Sequence, residues 1–469
     1  MPTSCTFIPM KARFLPLVLV VLSVLGARAA TPVPVQVDGF SFVKTVGPIS
    51  EYTLASNGLS VLLLPDMSSP TVTFMVTYRV GSRNEVTGTT GATHLLEHLM
   101  FKGTPNYNRE KGNSVDQFLE RVGANFNATT WLDRTNYYAT IGSEHLEGYL
   151  AIEADRMRNL WLRESDRQPE MTVVRNEFEI GENNPTEALD KEIGAAAYMA
   201  HPYHHSTIGW RSDIEKVSIE KLKEFYDTFY WPDNATVTVI GDFDPAATLG
   251  LIKKYYGVYP KAPAPIPQVY TEEPEQTGPR RVTVKRAGQL GVVGVAYKTP
   301  SRRSPDMPAL QVLDAILGRG KGSRFYRALV DTNLTTGVGV GTGQFHDPSL
   351  LNIYADLAPG VAHPQVEQVI LAEIERIKKD GVTAAEVSAA INQILAQSAF
   401  RGDGSFAMAS TLNEFIASGD WTLYVTFDDA ISKVTPDDVR RVANLYLLED
   451  QSTSGWFVPI VPAAPAANN

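Results

Sequence analysis

The chain is almost without cysteine. Its one thiol, Cys5, stands ahead of an apolar run near the N-terminus of 469 residues, so neither a disulfide framework nor a thiolate metal site can be built. Basic residues are also in short supply, 42 Lys and Arg against 52 Asp and Glu. A net charge of −10 argues against a nucleic-acid binder, which needs a basic stripe or excess. Long hydrophobic runs are rare. The one from Phe14 to Gly26 has thirteen residues, too few to span a bilayer comfortably. Lys11 and Arg13 precede it and the small-residue stretch "ARAATPVP" follows, which is the pattern of a secretory signal cut just after Ala29, with Met1 or Met10 as its start. Residues 1–29 are therefore expected to be a signal peptide. The mature chain would be exported to a periplasm, carry no cysteine and no membrane span, and have a charge of −13.

What remains is 43% hydrophobic and 20% charged, the profile of a soluble globular protein long enough for two domains. The proline- and acid-rich stretch "YPKAPAPIPQVYTEEPEQTGP" (259–279) reads as an extended connection. It places an N-terminal domain at 40–260, a linker at 261–279 and a C-terminal domain at 280–460. The two halves echo each other. "TVTFMVTYRVGS" (71–82) alternates apolar residues as a strand does, and "LGVVGVAYKTPS" (290–301) repeats the pattern 219 residues later. A helical segment follows each, "ATHLLEHLMF" and "PALQVLDAILG". At that offset His94, Glu97 and His98 correspond to Leu313, Ile316 and Leu317, so the first copy carries polar groups where the second has core residues.

Two of the chain's eight histidines lie in "GATHLLEHLMFKGT" (91–104). Residues four apart share one face of a helix, so His94 and His98 can grip a single ion. Zinc suits two imidazoles and a carboxylate, with a fourth position left for solvent. Glu97 falls where its carboxylate flanks such an ion without ligating it, and can take a proton from an attacking water. This is the inverted order of the better-known H-E-x-x-H metallopeptidase motif. A third ligand is required, and "PEMTVVRNEFEIGENNP" (169–185) offers one. Glu170 and Glu177 lie two turns apart on one side of a helical pattern, so one can ligate while the other supports from behind. Glu179 and Glu182 read as solvated helix acids. "HPYHH" (201–205) reads as a loop rather than a second metal site.

Together these motifs resemble the pitrilysin family of zinc peptidases, the inverzincins, and within it the short exported bacterial branch, similar to mitochondrial processing peptidase subunits and to halves of insulin-degrading enzyme. The resemblance implies one Zn2+ per chain, with His94, His98 and Glu177 as ligands, Glu97 as general base and Glu170 as auxiliary acid. It also makes "GANFNATTWLDRTNYY" (123–138) the substrate-binding edge, with Asn127, Ala128 and Thr129 pairing to an extended peptide. The expected architecture is α+β: two homologous domains, each a mainly antiparallel sheet packed with helices, arranged as a clamshell.

One part of the family pattern is missing. Active members bring an arginine and a tyrosine from the second domain, but "LVDTNLTTGVGV" (329–340) has Val330 at the arginine position and Thr336 or Gly337 at the tyrosine position. The implied arrangement is a heterodimer: this chain supplies the zinc set, and a homologous partner without the zinc motif supplies the arginine and tyrosine. A homodimer is the variant, and a catalytically impaired assembly or scaffold subunit is the alternative. The expected function is endopeptidase cleavage of peptides or unfolded polypeptides.

Overall fold

The alternating run from Val72 to Tyr78 forms an inner strand of a seven-stranded sheet. A computed structural model describes residues 34–460; the expected signal peptide lies outside the described residues. Five strands precede or surround the motif region: β1 (Phe40–Val46), β2 (Ile49–Leu54), β3 (Ser60–Pro65), β4 (Thr71–Tyr78) and β5 (Asn125–Thr130). With β6 (Thr135–Gly142) and β7 (Ala235–Gly241) they stand in the order β1-β2-β3-β7-β4-β6-β5. All neighbours are antiparallel except β3 and β7.

The second sheet is built from β8 (Arg280–Ala287), β9 (Val292–Thr299), β10 (Thr335–Thr342), β11 (Ser349–Leu357) and β12 (Ser452–Ile460). Its order is β10-β11-β9-β12-β8, antiparallel except for β12 beside β8. Two helix-packed, mainly antiparallel sheets match the expected α+β architecture. No helix or strand falls between Tyr256 and Arg280. That stretch is fastened by Glu273, which accepts the N–H groups of Met199, Ala200 and His201.

Each half lends a helix to the other. Pro185–Ala197, from the N-terminal half, packs Ala188, Leu189 and Ile193 against Val292, Ala296 and Phe457 of the second sheet. The approach is close because Gly294 and Gly455 lack side chains; a Cβ there would stand 2.5 Å from Ile193 and 2.8 Å from Leu189. Ser405–Ala417, from the C-terminal half, lays Ala409, Leu412 and Ile416 on Leu62, Met75 and Ile240 of the first sheet. β4 is consequently buried on both faces, and the Thr73 and Thr77 hydroxyls that alternate with its apolar residues are satisfied there by Ser405 and Asn413 of that helix. Each large apolar side chain sealed this way contributes about 1.5–3 kcal/mol. Among the described residues no helix is long and apolar enough to cross a membrane.

Candidate metal centre

The helix Ala92–Leu99 begins at Gly91, whose φ of +83° only glycine adopts without strain. A Cβ there would also stand 2.4 Å from the Ile208 carbonyl. The buried Glu85 carboxylate accepts the N–H of Gly91 and of Thr93, both at 2.8 Å, and so caps the helix start. Burial pushes the Glu85 carboxyl up to about 8 despite these bonds. Leu95, Leu96 and Leu99 anchor the other face of the helix in the core, which fixes the direction in which His94 and His98 project.

Opposite runs the helix Glu164–Glu182. Pro169 lies in its interior and cannot donate to the preceding turn, immediately before Glu170. Val174 and Phe178 bury its inner face and turn Glu170 and Glu177 toward the histidines. Glu177 Oε2 lies 3.6 Å from His94 Nε2 and 3.8 Å from His98 Nε2. Glu170 Oε2 accepts from His98 Nδ1 at 3.1 Å, and its other oxygen takes the Lys102 ammonium. With the Nδ1 proton committed to Glu170, the His98 Nε2 lone pair faces Glu177 and His94.

A metal fits this donor set. One atom each from His94, His98 and Glu177 lie within 4.8 Å of one another, and no other such group occurs among the described residues. The imidazole–carboxylate separations are too long for hydrogen bonds. A tetrahedral ion with bonds of about 2.0–2.2 Å keeps its ligands roughly 3.4 Å apart, close to the spacing seen. Burial, reinforced by His98, holds the His94 imidazole down at about 4, so at neutral pH it is uncharged, the form that ligates.

Glu97 stands beside this group and is 9% exposed. Burial pushes its carboxyl up, while the Thr130 hydroxyl, donating to Oε2 at 2.6 Å, and the charges of His98 and Arg134 pull it back. Thr130 closes β5, which lies at the free edge of the first sheet and contains Asn127, Ala128 and Thr129. Asn127 Oδ1 accepts the Ala128 N–H at 2.9 Å. A cavity of about 520 Å3 opens from His94 and Glu177 between the halves, lined by Trp131, Phe178, Tyr203 and Phe345 among others.

Residue-pattern reasoning missed Lys102, Thr130 and Arg134. The "FKGT" turn was visible, but nothing in it said that Lys102 would meet an acid 68 positions later. One expectation is corrected: Glu182 is no solvated helix acid, since it pairs with both Lys191 and Arg286. Glu179 is half exposed and 3.5 Å from Arg211. His201 bonds Asp347 at 3.0 Å across the halves, and His204 bonds the His201 carbonyl. Val330 ends a short π-helical turn, Tyr326–Val330, and Thr336 is exposed near the start of β10. Neither offers a cation or a phenol.

Comparison with known proteins gives the family. The pattern of the insulinase family, peptidase family M16, matches residues 60–210, and that of the peptidase M16 inactive domain matches residues 216–394. The zinc protease PqqE of Helicobacter pylori is 32% identical over 421 residues, covering 88% of this chain and 93% of that protein. The chain belongs to peptidase family M16. A crystal structure of a protease from Helicobacter pylori superposes with a TM-score of 0.83 at 31% identity, covering 90% of this chain and 99% of the other. A probable mitochondrial-processing peptidase subunit beta of Arabidopsis thaliana is 24% identical over 88% of this chain and 79% of its own length. The first half of the periplasmic protease PqqL of Escherichia coli shares the M16 fold, with a TM-score of 0.72 at 17% identity over 90% of this chain and 96% of the other. The resemblance to pitrilysin-family zinc peptidases read from the sequence is therefore borne out.

Proposed function

We propose that the chain is a zinc-dependent endopeptidase that cleaves peptides or unfolded polypeptides after export to the periplasm. The observation that carries this is the convergence of His94, His98 and Glu177 from two facing helices, with Glu97 beside them and a free strand edge adjoining. Those three side chains would hold a zinc ion, whose Lewis acidity would be available to a water and to the scissile carbonyl. Glu97 accepts the proton of the attacking water and passes it to the departing amine. Thr130 holds one Glu97 oxygen, leaving the other free to take that proton. Glu170, itself held by Lys102, orients the His98 ring. Asn127, Ala128 and Thr129 bind the substrate main chain as an added strand, which makes recognition largely independent of sequence.

Val330 and Thr336 favour a completing partner, a homologous chain that supplies the arginine and tyrosine. The assay compares the purified chain alone and mixed with a candidate partner. Cleavage that appears or rises at least tenfold on mixing supports the heterodimer; full activity of the lone monomer refutes it. The second reading, an impaired assembly subunit, rests on the same two residues. Zinc content separates them: about one zinc per chain supports the peptidase, and none after purification without chelator refutes it.

A further inference from the structure

The C-terminal half has no metal motif, yet one of its side chains reaches the strand beside Glu97. Glu414 lies near the end of the helix Ser405–Ala417 and meets the turn between β5 and β6. Its Oε1 accepts from Arg134 Nε at 3.0 Å and Nη2 at 2.5 Å. The remaining arm of Arg134, Nη1, donates to the Thr129 carbonyl at 3.0 Å and to Thr129 Oγ1 at 2.5 Å. That hydroxyl donates onward to Asn136 Oδ1 at 2.6 Å, which also takes the Thr129 N–H at 3.1 Å. The next residue is Thr130, the donor to Glu97. Glu414 is itself held, since Asn413 Nδ2 donates to Oε1 at 3.2 Å while Asn413 Oδ1 accepts the Thr77 hydroxyl of β4 at 2.7 Å.

Two physical points give this chain of contacts its weight. Arg134 is 9% exposed, and a guanidinium so buried is tolerated only when paired, so Glu414 is the group that allows it to sit there. β5 is hydrogen-bonded along one side only, and its last residues are where an edge strand frays first. Arg134 ties down those last residues and refers their position to a helix of the other half.

We propose that Arg134 and Glu414 form a brace through which the C-terminal half fixes the end of the edge strand and holds Thr130 against Glu97. Both are positioning residues: neither touches a metal ligand, and each acts through Thr129 and Thr130. The proposal rests on the peptidase reading above for its functional meaning, but the brace itself is tested without turnover. It gives the half that lacks the motif a task inside the site of the half that has it.

The test is residue-resolved hydrogen exchange on the full chain carrying Glu414→Ala. The expected result is exchange of the Thr129 and Thr130 amides faster by about tenfold or more, with Phe74 to Val76 in β4 unchanged. A second readout is the peptidase double-mutant cycle with Arg134→Ala. Glu414→Ala alone is expected to lower kcat/KM by about tenfold, yet by less than about twofold in the Arg134→Ala background. Glu414→Gln keeps one acceptor oxygen and should restore part of the loss; it replaces Glu414→Ala in both measurements should that variant not fold. Unchanged exchange at residues 129 and 130, exchange accelerated equally in β4, or full additivity in the cycle would each overturn the brace. A wild-type chain that cleaves nothing defeats the peptidase reading and leaves the exchange result to decide the brace.

Discussion

The helices Ala92–Leu99 and Met307–Gly318 follow matching inner strands in the two halves, and they have opposite fates. On the first, the His94 and His98 side chains keep about a fifth of their surface open toward the helix Glu164–Glu182. On the second, Leu313, Ile316 and Leu317 are sealed in the core by the helices Ala384–Arg401, Leu423–Ile431 and Pro436–Tyr446. The backbone plan is shared, and what faces the helix decides whether those positions are filled with apolar side chains or left open for polar ones. The acidic helix Glu164–Glu182 faces the two imidazoles with carboxylates, whereas the three helices on the second copy meet the corresponding positions with apolar side chains.

The comparison breaks first at Glu97. Glu97→Gln should retain zinc and stability while kcat falls by about 10^3-fold, because only proton transfer is lost; near-normal turnover with metal present would remove Glu97 from the mechanism. In the other half, Leu313→Ala should cost about 2–5 kcal/mol in urea unfolding and leave zinc content untouched, as a cavity in a filled core does. Glu170→Ala tests the support behind His98. It should weaken zinc binding by about 10–100-fold in chelator competition without unfolding the chain. The smallest effect is a pH effect within the second helix. Burial raises the Asp314 carboxyl to about 6, against the ordering pull of the Thr342 N–H. As pH climbs from about 4 to about 6 the unfolded chain sheds a proton that the folded chain still holds, so stability falls across that window and is level above it. Asp314→Asn should abolish that slope and gain about 1–2 kcal/mol at pH 7, read from urea melts at a series of pH values.

The motif was readable because its information is local. Two imidazoles four residues apart on a helix converge wherever that helix forms, and the apolar alternation of 71–80 already marked the strand before it. Glu170 and Glu177 were readable as a pair for the same reason, two turns on one face, though only the resemblance chose between them. Lys102, Thr130 and Arg134 were not, since each gains its role from a partner that the chain brings back from far away: Glu170, Glu97 and Glu414. A lysine in a turn or a threonine ending a strand carries no mark of such a meeting. Glu182 misled for the converse reason. It looks like any exposed helix acid until Lys191 and Arg286 are folded onto it.

Residue order was enough to indicate a duplicated strand-and-helix plan and one turn with two imidazoles on a single face, since periodicity and i,i+4 spacing are properties of a few neighbouring residues. Whether the polar turn has a third donor, how its base is held and which half braces the adjoining strand edge depend on side chains that only long-range packing brings within hydrogen-bond reach.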